Sequence, residues 1–310
     1  MSLRKSFKLW RILESQQQDI ISSHADEDVL RYALQQFPRL KRVTVTPAAH
    51  VYLFEPLYET PMIRSLQYGF VYPILRGWPD PGDLGNAWAD PEPWTGNNAS
   101  EEEKNRWRGF RIVTRVLAQE KHGVSELIFD NGQLTTGLPL MAFDQETEEY
   151  KDFCQIIKRP GFHKLQLSLI FGQGFREDWN IFPNGHLRNA LAGAHDIEYF
   201  SFHNDFFEAW MNYDDEAEDF VSLFEIFPIN HWAKLTHFGL CRMQVKQDDL
   251  ISLLANLPLT LRSVEPRFLY FIHEQGHYRG LLEDIRDKLD WGGRSVDTRI
   301  MIHVKMSFCL

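Results

Sequence analysis

Cysteine is scarce: Cys154, Cys241 and Cys309 stand far apart, an odd number in 310 residues. That fits a reducing compartment better than a disulfide framework. Excess positive charge is missing too, with 33 Lys and Arg against 43 Asp and Glu, a formal net charge of −10. No run of Lys or Arg offers a basic face, so nucleic acid is not an expected partner. No apolar stretch approaches the roughly 20 residues of a membrane span. The opening MSLRKSFKLWRILESQQQ has basic residues but not the apolar segment of a signal peptide. No Gly-rich phosphate loop follows an apolar run, FGQGF at 171–175 being too short, and no Gly-x-Ser-x-Gly elbow occurs. These absences describe a protein of the cytoplasm or nucleus, with no membrane partner and no cofactor.

The interior is amply supplied. Hydrophobic residues make up 44% of the chain and charged residues 25%, ordinary for a globular protein, and 23 Phe and 9 Trp put much of the burial into rings. The length suits one large domain, 1–310, with a sizeable core.

A six-residue frame recurs: apolar, two variable, apolar, one variable, apolar. It occurs as Leu40-Lys-Arg-Val43-Thr-Val45, Val124-Ser-Glu-Leu127-Ile-Phe129, Phe162-His-Lys-Leu165-Gln-Leu167, Ile197-Glu-Tyr-Phe200-Ser-Phe202 and Leu235-Thr-His-Phe238-Gly-Leu240. Leu261-Arg-Ser-Val264-Glu-Pro266 starts alike and breaks its alternation with proline, and Ile300-Met-Ile302-His-Val304 keeps only the alternating part. From 124 onward the frames begin 38, 35, 38 and 26 residues apart, and the gap from 40 to 124 would hold two such units. Alternation with period two marks a strand with one buried face. Helical spacing leads into several copies, in DEDVLRYALQQFP, YKDFCQIIKRPGF, LRNALAGAHD and DDLISLLANLPL, with Pro38, Pro160 and Pro258 closing helices before the strand. A unit of helix, turn and strand cannot cover its own apolar face and stacks on its neighbours. The expected fold is α/β: an irregular leucine-rich-repeat-like solenoid with a parallel sheet on one face and helices on the other. A doubly wound sheet is the competing arrangement.

In that register Tyr199, Ser201 and His203 on one strand, and His237, Gly239 and Cys241 on the next, point to an exposed inner face. Arg42, Thr44, Glu126, Asp130, Lys164 and Gln166 join them. The expected binding surface comprises Arg42, Thr44, Glu126, Asp130, Lys164, Gln166, Tyr199, Ser201, His203 and His237, lining a recognition face rather than forming a metal or catalytic His203–His237 pair. Two insertions interrupt the repeat. One is irregular, 76–105, dense in Pro, Gly, Asp and Asn, with tryptophans that cap the core or anchor a partner; the other is acidic, 204–222, around NYDDEAEDF.

His273, Glu274 and His277, in HEQGH, follow the His-Glu-x-x-His order of zinc proteases, which a helix would bring to one face. Gly280, Glu283 and either Met301 or Met306 even stand where a longer metal-protease pattern places its parts. Against this, RFLYFI at 267–272 is β-branched and aromatic, as at the close of a strand, and the stronger helix begins after the motif with Leu281, Leu282, Ile285 and Leu289. HEQGH therefore reads as a strand-to-helix loop, and no metal site is expected.

The stretches FPRLKRVTVTPAAH, PLYETPMIRS, YGFVYPILRGWP, WRGFRIVTRVLAQE, GVSEL and WAKLTHFGL resemble a large set of filamentous-fungal proteins. So do DDLISLLANLPLTLRSVE and YRGLLEDIRDKLDW, and the resemblance runs over roughly 7–305. That family carries an F-box followed by an irregular leucine-rich-repeat-like region. The resemblance implies the substrate-recognition part of a cullin–RING ubiquitin ligase: a protein-binding scaffold, not an enzyme, with a protein partner and, given an F-box, the ligase adaptor. An F-box usually opens with a Leu-Pro pair, and residues 1–39 contain none and read as the helix leading into Leu40; either the F-box is lacking or the chain is trimmed. A zinc-dependent hydrolase using 273–277 is the alternative function.

Overall fold

The structure, a computed structural model, describes residues 2–46, 94–96, 100–130, 137–170, 181–204 and 220–305. Most of the 76–105 and 204–222 insertions, the FGQGF turn, Cys309 and Met306 lie outside the described residues.

Each frame becomes a strand. They are β1 (Arg42–Val45), β2 (Glu126–Phe129), β4 (Lys164–Ile170), β5 (Tyr199–His203), β6 (His237–Cys241) and β8 (Ser263–Arg267), with β10 (Met301–Ile302) at the far edge. All pair in parallel, each with the next in chain order. The register follows the frame: Arg42 pairs with Glu126, Glu126 with Lys164, Lys164 with Tyr199, Tyr199 with His237, and His237 with Ser263. A doubly wound sheet must reverse its strand order at a switch point, and among the described strands the order never reverses. Three short strands stand off this path: β3 (Leu138–Pro139) pairs in parallel with the last two residues of β4, and β7 (Gln244–Val245) pairs with β9 (Tyr270–Phe271).

The fourth and sixth frame positions point into the core. Leu127, Leu165, Leu167, Phe200 and Phe202 are completely buried, in one apolar cluster with residues from the helices preceding the strands. Those helices are α2 (Ala25–Gln36), α4 (Arg108–Gln119), α5 (Glu148–Ile157), α6 (His186–Ala192) and α8 (Gln247–Ala255); α1 (Leu3–Ser23), α3 (Glu101–Asn105), α7 (Leu223–Ile226) and α9 (Tyr278–Lys288) complete the set. Pro38, Pro160 and Pro258 each fall two or three residues beyond a helix end, as the sequence indicates. Rings fill the centre: Phe200 lies 4.7 Å from Trp232, whose indole N–H donates to the Leu191 carbonyl at 3.1 Å.

Three details differ from the sequence reading. Residues before β1 form two helices, because His24 adopts a left-handed φ of 57° and ends α1. The last five residues of the 76–105 insertion are helical, with the Ser100 hydroxyl accepting from the Glu103 N–H at 3.0 Å. Pro266 does not end its strand: it occupies the sixth frame position, buried opposite Leu240. β10 pairs with β8 at Ser263 and Val264 and the pairing resumes at a bridge between Arg267 and Lys305, so the residue without an N–H falls in the gap between them. No helix among the described residues is long and apolar enough to cross a membrane.

Candidate functional site

On the sheet surface opposite the helices, the third, fifth and seventh frame positions form rows across the strands at about 4.8 Å per step. The first row runs Arg42, Glu126, Lys164, Tyr199, His237. At its open end Arg42 Nε donates to Glu126 Oε2 at 2.7 Å, with His163 3.7 Å from the same carboxylate. At its centre the Lys164 ammonium lies 4.0 Å above the Tyr199 ring. That ring stacks on His237, centroids 4.0 Å apart and planes 4° from parallel. From His237 the contacts continue to Glu265, 3.7 Å away, and from Glu265 to Arg267 at 3.4 Å. Arg267 Nη2 then reaches His203 Nε2 at 3.3 Å, and the Ser201 hydroxyl is 3.0 Å from that same nitrogen.

The exposed inner face holds only in part. Arg42 and Thr44 are exposed, whereas Glu126, Asp130, Lys164, Gln166, Tyr199, His203 and His237 are half-buried. Ser201 is only 1% exposed, which corrects its placement on an open surface. The cause is Gly239: with no side chain there, the Ser201 hydroxyl and the His237 ring close over the strand. A Cβ at Gly239 would lie 2.8 Å from Ser201 Oγ and 3.4 Å from His237 Nε2.

Charge and burial set the chemistry. Burial, helped by the Arg267 and Arg242 cations, holds His203 down to about 3. Burial and the Lys164, Arg267 and His303 charges hold His237 down to about 4. Both imidazoles are neutral at physiological pH. His203 Nε2 then accepts from Ser201 and Arg267, a tautomer assigned from the hydrogen bonds. An imidazole this weakly basic makes a poor general base for the Ser201 hydroxyl beside it. Burial also raises the Tyr199 phenol and the Cys241 thiol, so Cys241 is held as an unreactive thiol. His203 and His237 do not meet. His203 pairs with Cys241 and His237 with Tyr199, four residues along the ladder, or about 13 Å.

Asp130 stands apart from the central cluster, just past β2, where its N–H donates to the Val45 carbonyl at 3.0 Å. Glu265 and Arg267, which link the two histidines' surroundings, lie outside the binding surface expected from the sequence, where Pro266 between them breaks the alternation. The signal was present in Ser263, Glu265 and Arg267, polar at every second position.

HEQGH forms a turn and then a cap. His273, Glu274 and Gln275 are exposed, with Glu274 at φ 58° and Gly276 at φ 142°, and His277 is the N-cap of α9. His277 Nδ1 accepts from the Gly280 N–H at 2.8 Å. Gln247 of α8 accepts from the His277 N–H at 3.2 Å and donates to Asp284 at 2.7 Å. The motif is thus the loop its flanks indicate, and the one-faced helical geometry of a zinc protease is not formed. Among the described residues no three His, Cys, Asp or Glu side chains are grouped to hold a metal. Trp94, the described tryptophan of the first insertion, is 1% exposed and packs against Trp107 and Phe110 as a core cap.

Compared with protein-family models, curated proteins and solved structures, the chain has no match.

Proposed function

We propose that the protein is a leucine-rich-repeat-like solenoid that binds another protein across its strand face and performs no catalysis. One observation carries this reading: parallel strands in chain order, in a single register, align Arg42, Glu126, Lys164, Tyr199 and His237 in one row from β1 to β6. A row of alternating charge and stacked rings suits recognition of a protein segment, aromatic anchors giving affinity and charges setting register. The resemblance to fungal F-box proteins supports a partner destined for ubiquitination, delivered to the cullin–RING adaptor when an F-box is joined to this region. Nucleic acid and membranes are not partners in this reading.

The test is a pull-down from fungal lysate, with and without adaptor, comparing the wild type with a Lys164→Ala, Tyr199→Ala double variant of unchanged circular dichroism. Loss of specific captured proteins in the variant is the expected result. Capture indifferent to the two substitutions removes the strand face from the reading, and no capture in either form overturns it.

A further inference from the structure

The strand face does not share the acidity of a chain whose net charge is −10. Its outward frame positions carry Arg42, Lys164, Arg267 and Lys305 against Glu126, Asp130 and Glu265. Within the first row, Lys164 differs from the other charges. Its neighbour in register is Glu126, yet that carboxylate is turned the other way, to Arg42 at 2.7 Å and His163 at 3.7 Å. Among the described residues no carboxylate comes within ion-pair distance of the Lys164 ammonium, which rests on the Tyr199 ring instead. Arg42 also neutralises Glu126, so nothing in the row repels an incoming anion at Lys164.

The rings beside it point the same way. Tyr199 stands between Lys164 and His237 in the register, so the ammonium covers one face of its ring and the imidazole the other. Only the ring edge is left for a partner, and the edge is the electropositive part of an aromatic ring. A cation or a ring from a partner therefore finds no free face on Tyr199. A carboxylate finds an ammonium with an electropositive edge beside it. His237 is neutral, held so by burial first and then by the Lys164, Arg267 and His303 charges, and it offers the carboxylate no competing anion.

We propose that the segment bound across the strand face is anchored by an Asp or Glu side chain whose carboxylate pairs with Lys164 beside the Tyr199 edge. This rests on the strand-face reading and adds to it the sign of the partner's charge. Lys164 thereby determines specificity: it selects an acidic residue at one position of the segment.

Selection of phage-displayed random heptapeptides on the full chain, repeated on Lys164→Glu and Tyr199→Ala variants of unchanged circular dichroism, tests the proposal. The wild type should enrich peptides with Asp or Glu at one position, and Lys164→Glu should enrich Lys or Arg there instead. Synthetic copies of the wild-type peptides should bind Lys164→Met about fivefold more weakly, the upper end for a solvent-accessible ion pair, and should lose that difference in high salt. Peptides that depend on Tyr199 but show no acidic preference overturn the proposal and leave the strand-face reading standing. So does an acidic preference that Lys164→Glu leaves unchanged, or equal binding to Lys164→Met. Enrichment of no peptide that depends on Tyr199 overturns both.

Discussion

Gly239 shows how one missing side chain organises its surroundings. Adding a methyl group places Cβ 2.8 Å from Ser201 Oγ and 3.3 Å from Ser201 Cβ, on a strand that cannot shift without breaking two ladders. Gly239→Ala should cost about 1–3 kcal/mol, the usual range for overpacking, and Ser201→Gly in the same chain should restore most of it; urea midpoints measure both. The two half-buried imidazoles make a second prediction. In the unfolded chain a histidine titrates near 6.5, whereas His203 and His237 are held to about 3 and about 4. Between those limits the unfolded state binds more protons, so stability is complete above about pH 6.5 and falls as the pH drops toward 4. His122, also lowered by burial, acts in the same direction, and Asp152, raised by burial, in the opposite one. Both are common to wild type and variant. Unfolding free energies at pH 6.5 and 4.5 should decline less steeply in His203→Gln, by up to about 1.4 kcal/mol per pH unit.

Between elements, polar side chains fix what the apolar stripe leaves free. Arg111 of α4 donates to Glu149 of α5 at 2.9 Å, to Asn105 at 2.7 Å and to Glu101 at 2.8 Å, with Arg111 and Glu149 side chains about nine-tenths buried. Removing one member strands the other: Glu149→Ala should cost about 3 kcal/mol, near the low end for a broken buried pair because Glu101 remains. Arg111→Met with Glu149→Leu should recover much of that loss in thermal unfolding. At the other end of the chain the HEQGH turn staples α8 to α9. His277→Ala removes a helix cap and should cost about 1 kcal/mol. Gly276→Ala should cost more, since φ is 142° and the new Cβ would meet Gln247 Cβ at 2.5 Å. Neither variant should change zinc content, and stoichiometric zinc in the purified wild type, lost on His277→Ala, would instead restore the hydrolase alternative.

For the molecule as a whole, strands that pair only with their neighbours in the chain make stability graded across the sheet. β4, β5 and β6 each have partners on both sides over most of their length, whereas β10 has two residues and β1 presents Arg42 and Thr44 to solvent. Native-state hydrogen exchange should protect Leu165, Phe200 and Phe238 most, and the amides of β1 and β10 least. Uniform protection from β1 to β10 would mean that the sheet opens only as one unit.

The order and register of this sheet were readable from the chain. A frame of buried residues at fixed spacing leaves each strand one face it can bury and one neighbour it can reach, so pairing Tyr199 with His237 follows from pattern alone. The polar network was only half readable. Lys164, Tyr199 and His237 fall in one row by count, but Glu265 and Arg267 required knowing that the strand runs on through Pro266, which sits in a gap of the pairing with the edge segment.

Periodicity by itself determined which side chains are buried in strands and helices, and hence a parallel α/β architecture, because burying apolar surface is a property of spacing. Tertiary structure alone decided how deep Ser201 lies, where His203 finds Arg267, and that HEQGH caps a helix instead of lying within one. Those outcomes depend on distances between segments far apart in sequence, and such distances exist only once the chain has packed.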